Sequence, residues 1–217
     1  MTPMVKRVVA RYAPGDLPVA TGSTDPDFNL LEFPDTRQGK NFTCGASSVQ
    51  SILYYYGENI REDELADTLK SDPEDGTQSD GMVQLFHARG LRTISGEMTI
   101  EDLKRNIDMG IPTMIPIQAW PDDDELDKDL SASWEDGHWI VAIGYAPGTI
   151  IFDDPVLLDN HGYMAIEDLE SRWHDKNGDT KLDHFGIAVW GKEPAFKERT
   201  MIRIEARVAA RWIAAKS

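Results

Sequence analysis

The sequence predicts an α+β protein in which a helical N-terminal half packs on an antiparallel β-rich C-terminal half. Two observations predict it. Between residues 38 and 110, apolar residues recur at three- and four-residue intervals and glycines close the periodic runs. From Ile111 to Trp190 that spacing gives way to short apolar runs bounded by Pro, Gly and Asp, the texture of strands. At 217 residues and 41% hydrophobic, the chain is long enough for one full core. Neither an internal repeat nor a low-complexity tract is present, which excludes solenoids. The expected organisation is one domain over 1–217, with a helical lobe at about 38–110, a β-rich lobe at about 111–192 and a C-terminal helix at about 200–215.

Taken in order, residues 4–12 form a strand-like run, and the prolines and glycines from Pro14 to Pro26 mark an extended connector. From Cys44, the positions Val49, Ile52, Leu53 and Tyr56 give a helix one buried stripe, and Gly57 can take the left-handed conformation that ends it. A second helix spans Arg61 to Lys70 with Leu65 and Leu69 on one side, and a third spans Ser79 to Gly90. The polar run 71–79 between them reads as a loop. Leu91 to Ser95 reads as a short strand, and Thr99-Ile-Glu-Asp102 as a capping-box-like start to a helix that stops at Gly110.

Ile111 to Ile117 reads as a strand whose prolines place it near a sheet edge or end. Trp139 to Tyr145 and Thr149 to Phe152 read as a β-hairpin turning at Ala146-Pro147-Gly148. A short helix from Met164 to Trp173, a strand from His184 to Trp190 and the helical tail complete the prediction.

Cys44 is the only cysteine, so no intramolecular disulfide or thiolate-rich zinc site exists. A lone cysteine is most often a small buried hydrophobe. Three features weigh against that here. The first turn of a helix favours thiolate over thiol, and a thiolate is the nucleophile of acyl transfer. Gln38 lies six residues upstream, where its amide could donate to an oxyanion beside the Cys44 N–H. His138 opens an apolar strand, and the hairpin partner of that strand ends in Asp153-Asp154-Pro155, which returns a carboxylate toward the histidine. Strand alternation makes Asp154 or Asp153 the orienting acid, one to each face. His87, His161, His174 and His184 lack such a partner in the sequence and read as surface or packing residues.

Gln38-x5-Cys44-Gly-Ala, the Tyr-Tyr-Gly helix end, Gly137-His138-Trp-Ile-Val and Asp154-Pro155 resemble the C39-type, papain-like cysteine peptidases over roughly residues 38–190. The resemblance implies a papain-like cysteine proteinase fold and a thiol peptidase without cofactor or metal. It assigns Cys44 as nucleophile, His138 as base, Asp154 as the group orienting it and Gln38 as the oxyanion donor. It further implies leader-peptide processing at a double-glycine site and a substrate groove near residues 71–79. The alternatives are another thiol acyl-transfer enzyme, an amidase or a transglutaminase-like protein, and a non-catalytic peptide-binding module of the same fold.

A net charge of −16 argues against nucleic-acid partners and against anionic membrane surfaces. The start of the chain lacks a signal-peptide core and no run of about 20 apolar residues occurs, so a cytoplasmic location is expected. The expected partner is a peptide or protein substrate. The acidic stretch Pro121–Asp136, leading into His138, is expected to be a solvated loop that makes the cleft rim negative and favours basic substrates. Asp175 to Asp179 resembles the first half of a calcium loop, but Thr180 and Gly186 stand where its glycine and its bidentate glutamate belong, so it reads as a surface turn.

Overall fold

The computed structural model describes residues 27–121, 128–157 and 160–196. The strand-like run 4–12, the connector to Pro26, the C-terminal helix expected at about 200–215 and part of the acidic stretch lie outside the described residues. The elements are β1 (Asn29–Leu30), α1 (Cys44–Tyr55), α2 (Glu62–Leu69), α3 (Ser79–Ala88), β2 (Arg92–Glu97), α4 (Ile100–Asp108), β3 (Thr113–Gln118), β4 (Gly137–Ala146), β5 (Thr149–Asp153), β6 (Gly162–Ala165), α5 (Ile166–Arg172), β7 (His174–Asn177), β8 (Thr180–Asp183) and β9 (Phe185–Trp190).

An antiparallel sheet in the order β2-β9-β3-β4-β5-β6 forms the middle layer, with β1 pairing the far half of β4 where β3 has ended. One sheet face presents Trp139, Val141, Ile143, Ile187 and Val189 to α1, α2 and α3. The other presents Ile115, Ile117, Ile140, Ala142, Ile150 and Phe152 to α4 and α5. The helices of the first half are thus divided between two layers, because α4 lies across the sheet from α1–α3. Its capping box forms as the sequence predicts: Thr99 accepts from the Asp102 N–H at 3.1 Å and the Asp102 carboxylate accepts from the Thr99 N–H at 2.9 Å. Ile100, Leu103 and Ile107 then bury one stripe, each contributing roughly 1.5–3 kcal/mol of transfer free energy.

Helix α1 departs from the single-stripe expectation, since ten of its twelve residues are buried. The sequence makes this tolerable by using serine on the sides that meet polar neighbours. Ser47 Oγ lies 3.1 Å from Thr36 Oγ1, Ser48 Oγ donates to the Trp139 carbonyl at 3.2 Å, and Ser51 Oγ bonds back to the Ser48 carbonyl at 3.0 Å. Small hydroxyl side chains let the helix approach the sheet while leaving no polar group stranded. Gly57 ends the helix at φ 91°, as expected.

Strand β3 departs in a different way: all six residues are buried and it lies between β9 and β4, an interior position. Its pairing to β9 covers only Thr113 and Met114, however, so Pro116 sits beyond the ladder that its missing N–H would have broken. The turn expected at Asp175 to Asp179 is the tip of a hairpin, β7–β8, reversed at Gly178. Polar side chains on these two short strands hid their alternation.

Candidate active site

Four segments that are distant in sequence meet at one end of the central strands: the N-terminus of α1, the start of β4, the end of β3 and the end of β5. Cys44 is the first residue of α1, so its backbone N–H is among those with no acceptor inside the helix. The Trp139 N–H points at Cys44 Sγ, 3.5 Å away, and its carbonyl accepts from Ser48, so both polar groups of one β4 residue hold the first turns of α1. That places His138 beside the sulfur.

The phase of β5 decides between the two aspartates. Asp154 Oδ1 lies 2.7 Å from His138 Nε2 and accepts from the Val156 N–H at 3.0 Å, while Oδ2 accepts from the Trp120 indole N–H at 3.1 Å. Asp153 points to the opposite face, toward α1, and is fully buried with neither oxygen in a geometrically sound hydrogen bond. Burial pushes the Asp153 carboxyl well above its usual range, despite the Ser51 hydroxyl and Thr36 N–H nearby, and the charges of Asp35 and Asp154 add to the shift. His161 Nδ1 lies 3.8 Å from Asp153 Oδ1.

Burial by itself would push the His138 imidazole down. Hydrogen bonds to Asp154 and to Cys44 outweigh it and raise the group to about 9. Burial likewise opposes ionisation of Asp154, and the His138, Val156 and Trp120 donors reverse it, holding that carboxyl below its usual range. With Nε2 on Asp154, Nδ1 is the ring nitrogen left for Cys44. The site therefore favours an imidazolium between the Cys44 sulfur and a carboxylate.

Gln38 is tied to the same corner. Its N–H donates to the Pro155 carbonyl at 3.0 Å, next to Asp154. One hydrogen of its side-chain amide goes to the Lys40 carbonyl at 3.0 Å, which leaves a second hydrogen to donate.

Cys44 lies at the wall of a cavity of about 510 Å³ bounded by Asn41 and Phe42, the loop Pro73–Thr77, Trp134 and Glu135, and Asp175, Lys176 and Gly178 of the β7–β8 hairpin. The loop is braced at its start: Asp72 Oδ1 accepts from the N–H groups of Glu74 and Asp75, both at 2.8 Å. Across from it, the described part of the acidic stretch is anchored. The Asp136 N–H donates to Gln118 Oε1 at 2.9 Å, His174 Nε2 donates to the Ser133 carbonyl at 2.8 Å, and Lys128 pairs with Asp136 at 3.0 Å. Residues 122–127 lie outside the described set.

The sequence placed Asp175 only in a surface turn, and Trp120 carried no signal. Asp175 is nine-tenths buried at the cavity wall, pushed up to about 6 by burial although Gln118 donates to it at 3.2 Å. Its carboxylate packs so closely on Gly137 that a Cβ there would collide with both oxygens. That contact is a reason for glycine immediately before His138. Among the other histidines, His87 lies on α3 against Thr93, and His174 and His184 pack on Trp134 and Trp173. Among the described residues no group of three or more His, Cys, Asp or Glu side chains could hold a metal ion.

A thiol at a helix N-terminus set against an antiparallel sheet that carries an imidazole–carboxylate pair defines a protein of papain-like fold. The chain belongs to the Peptidase_C39 like family, whose model matches residues 30–180. Its fold is similar to the peptidase domain of Streptococcus ComA, a bi-functional ABC transporter involved in quorum sensing (TM-score 0.55, 19% identity, covering 72% of this chain and 97% of that one). It is also similar to a double glycine motif protease from an AMS/PCAT transporter, solved in complex with the leader peptide (TM-score 0.56, 16% identity, covering 81% and 99%). A curated relative, an uncharacterized protein of Methanothermobacter thermautotrophicus, is 32% identical over 69 residues, which cover 32% of this chain and 48% of that protein. The chain thus spans about half the length of that relative. No helix among the described residues is long and apolar enough to cross a membrane.

Proposed function

We propose that this protein is a cysteine peptidase in which Cys44 attacks a peptide carbonyl, His138 carries the proton from thiol to leaving amine, Asp154 orients His138, and Gln38 with the Cys44 N–H stabilises the oxyanion. The observation that carries the reading is the His138 ring, bonded to Asp154 on one side and set beside Cys44, which lies at the wall of an open cavity. Attack forms a thioester with the N-terminal half of the peptide and releases the C-terminal half as an amine that takes its proton from His138; water then hydrolyses the thioester, with His138 as the base. No step calls for a cofactor.

The cavity suits an extended peptide, and a leader peptide bound to a protein of the same fold supports that choice. Four acids, Glu74, Asp75, Glu135 and Asp175, line it against the single cation Lys176 among its lining residues. A wall of that sign favours peptides with basic residues near the cleaved bond, chiefly through association rate.

The test is cleavage of a peptide library, read by mass spectrometry, with Cys44→Ala as control. Products absent from the wild-type reaction overturn the peptidase reading, and an amide product on adding a primary amine reassigns the chain to acyl transfer. For the charge preference, kcat/KM for Lys-flanked and Glu-flanked peptides is compared at low and high salt. A preference that survives both high salt and the triple change Glu74→Gln, Asp75→Asn, Glu135→Gln refutes the electrostatic account.

A further inference from the structure

The end of β3 carries a residue whose conformation its own neighbourhood does not explain. The Ala119 N–H closes a last rung to the Asp136 carbonyl at 2.9 Å, and the chain then turns out of the sheet at Trp120 with φ 57°. A bulky residue rarely adopts that left-handed conformation and holds it only where its surroundings impose it. Trp120 is also 52% exposed and belongs to neither apolar core. Its indole N–H has one partner, Asp154 Oδ2, at 3.1 Å.

That bond complements the others on the same carboxylate. His138 Nε2 and the Val156 N–H both engage Oδ1, so on their own they leave the group free to pivot about that oxygen. A donor on Oδ2 removes the pivot. We propose that Trp120 is a positioning residue for the reaction: its indole N–H, held over β5 by the left-handed turn at the end of β3, keeps the Asp154 carboxylate turned toward His138. The inference rests on the thiol peptidase reading, since it concerns the same site.

The charged or titratable groups around the carboxylate are His138 of β4, Asp153 immediately before it, Asp35 beyond Asp153, and Cys44 of α1 acting through His138. Trp120 favours the ionised form of Asp154. Losing its N–H therefore raises the pH at which Asp154 takes a proton, and a protonated Asp154 no longer supports the imidazolium. Both the lost orientation and the lost charge act on the acid side of the profile.

The experiment measures the rate of iodoacetamide labelling of Cys44 from pH 4 to 10 in native protein, with kcat, KM and Tm, for the wild type and for two variants. Trp120→Phe keeps a ring but not the N–H. Site-specific 3-benzothienylalanine at position 120 keeps the indole shape while replacing N–H by sulfur, and covers the case in which the Phe variant folds poorly. A hydrogen bond to a charged group is worth about tenfold or more in an equilibrium, so the labelling rate on the acid limb should fall about tenfold in both. The acid limb should move to higher pH and kcat should drop at unchanged KM and Tm. Labelling profiles that superpose on wild type overturn the inference, and so does a fall that is equal at every pH and accompanied by a lower Tm. If Cys44 of the wild type labels only after denaturation, the peptidase reading fails first, and the two failures are distinguishable.

Discussion

Replacing Asp154 by Asn keeps the size of the side chain and removes its charge. The carboxylate now accepts from three donors, and an Asn has a single acceptor oxygen for them. If the amide oxygen stays on His138 and Val156, the NH2 faces the Trp120 N–H. If it turns over, the NH2 faces His138 and forces the ring proton onto Nδ1, the nitrogen needed for Cys44. In either arrangement the imidazolium loses its counter-charge while burial, which acts to lower His138, remains. Letting His138 fall from about 9 to an ordinary 6.5 or below corresponds to about 3 kcal/mol or more, or roughly 300-fold in the ratio of charged to neutral imidazole at fixed pH. The expected result at neutral pH is a loss of turnover of about 100-fold or more, with Cys44 labelling shifted toward the profile of an unassisted thiol. Stability supplies a second check. Because the folded value of His138 is raised, its stabilisation is complete below pH 6.5 and disappears as pH rises through about 9. The wild type should therefore lose Tm across that window and Asp154→Asn should lose much less. Superposable labelling profiles for the two proteins, or a damaging Asp153→Asn beside a silent Asp154→Asn, would refute the assignment.

Three further outcomes follow from the same geometry. Gln38→Ala should lower kcat about 10- to 1,000-fold with little change in Tm, since the amide oxygen it removes is buried without a partner; an unchanged kcat would remove Gln38 from the oxyanion hole. Asp153→Asn should raise Tm at pH 8 and have a smaller effect near pH 4, because a buried carboxyl with a raised value weakens folding as pH climbs above its unfolded value; a Tm loss at pH 8 would mean that the ionised form is stabilised. Gly137→Ala should displace His138 or the β7–β8 hairpin through the Asp175 carboxylate, destabilising by about 1–3 kcal/mol as overpacking does, and Asp175→Ser beside it should restore stability. A Gly137→Ala protein with wild-type Tm and kcat would show that the contact is slack.

The parts legible in the sequence were those fixed by local rules. The α4 capping box, the Gly57 helix end and the β4–β5 hairpin depend on residues within a few positions of one another, and the structure has them where the sequence puts them. The papain-like class was legible because four short motifs kept their order and flanks. What was hidden depends on partners distant in the chain. Pro116 looks like an edge residue until β9 is seen to stop short of it. Four polar residues, His174 to Asn177, give no alternation because one strand of the pair faces a cavity rather than a core. Trp120 has no local signature, since its role is set by a carboxylate 34 residues away.

The bond between the Trp139 N–H and Cys44 Sγ joins residues 95 positions apart. At about 5–20 residues per second of synthesis, the thiol leaves the ribosome some 5–20 s before the strand that supplies its base. Through that interval Cys44 is an ordinary cysteine on a lone helix, without imidazole, carboxylate or cavity. In the proposed reading, closure of β4 against β3 and β5 is itself the arming step, because it brings His138 and Asp154 to the sulfur.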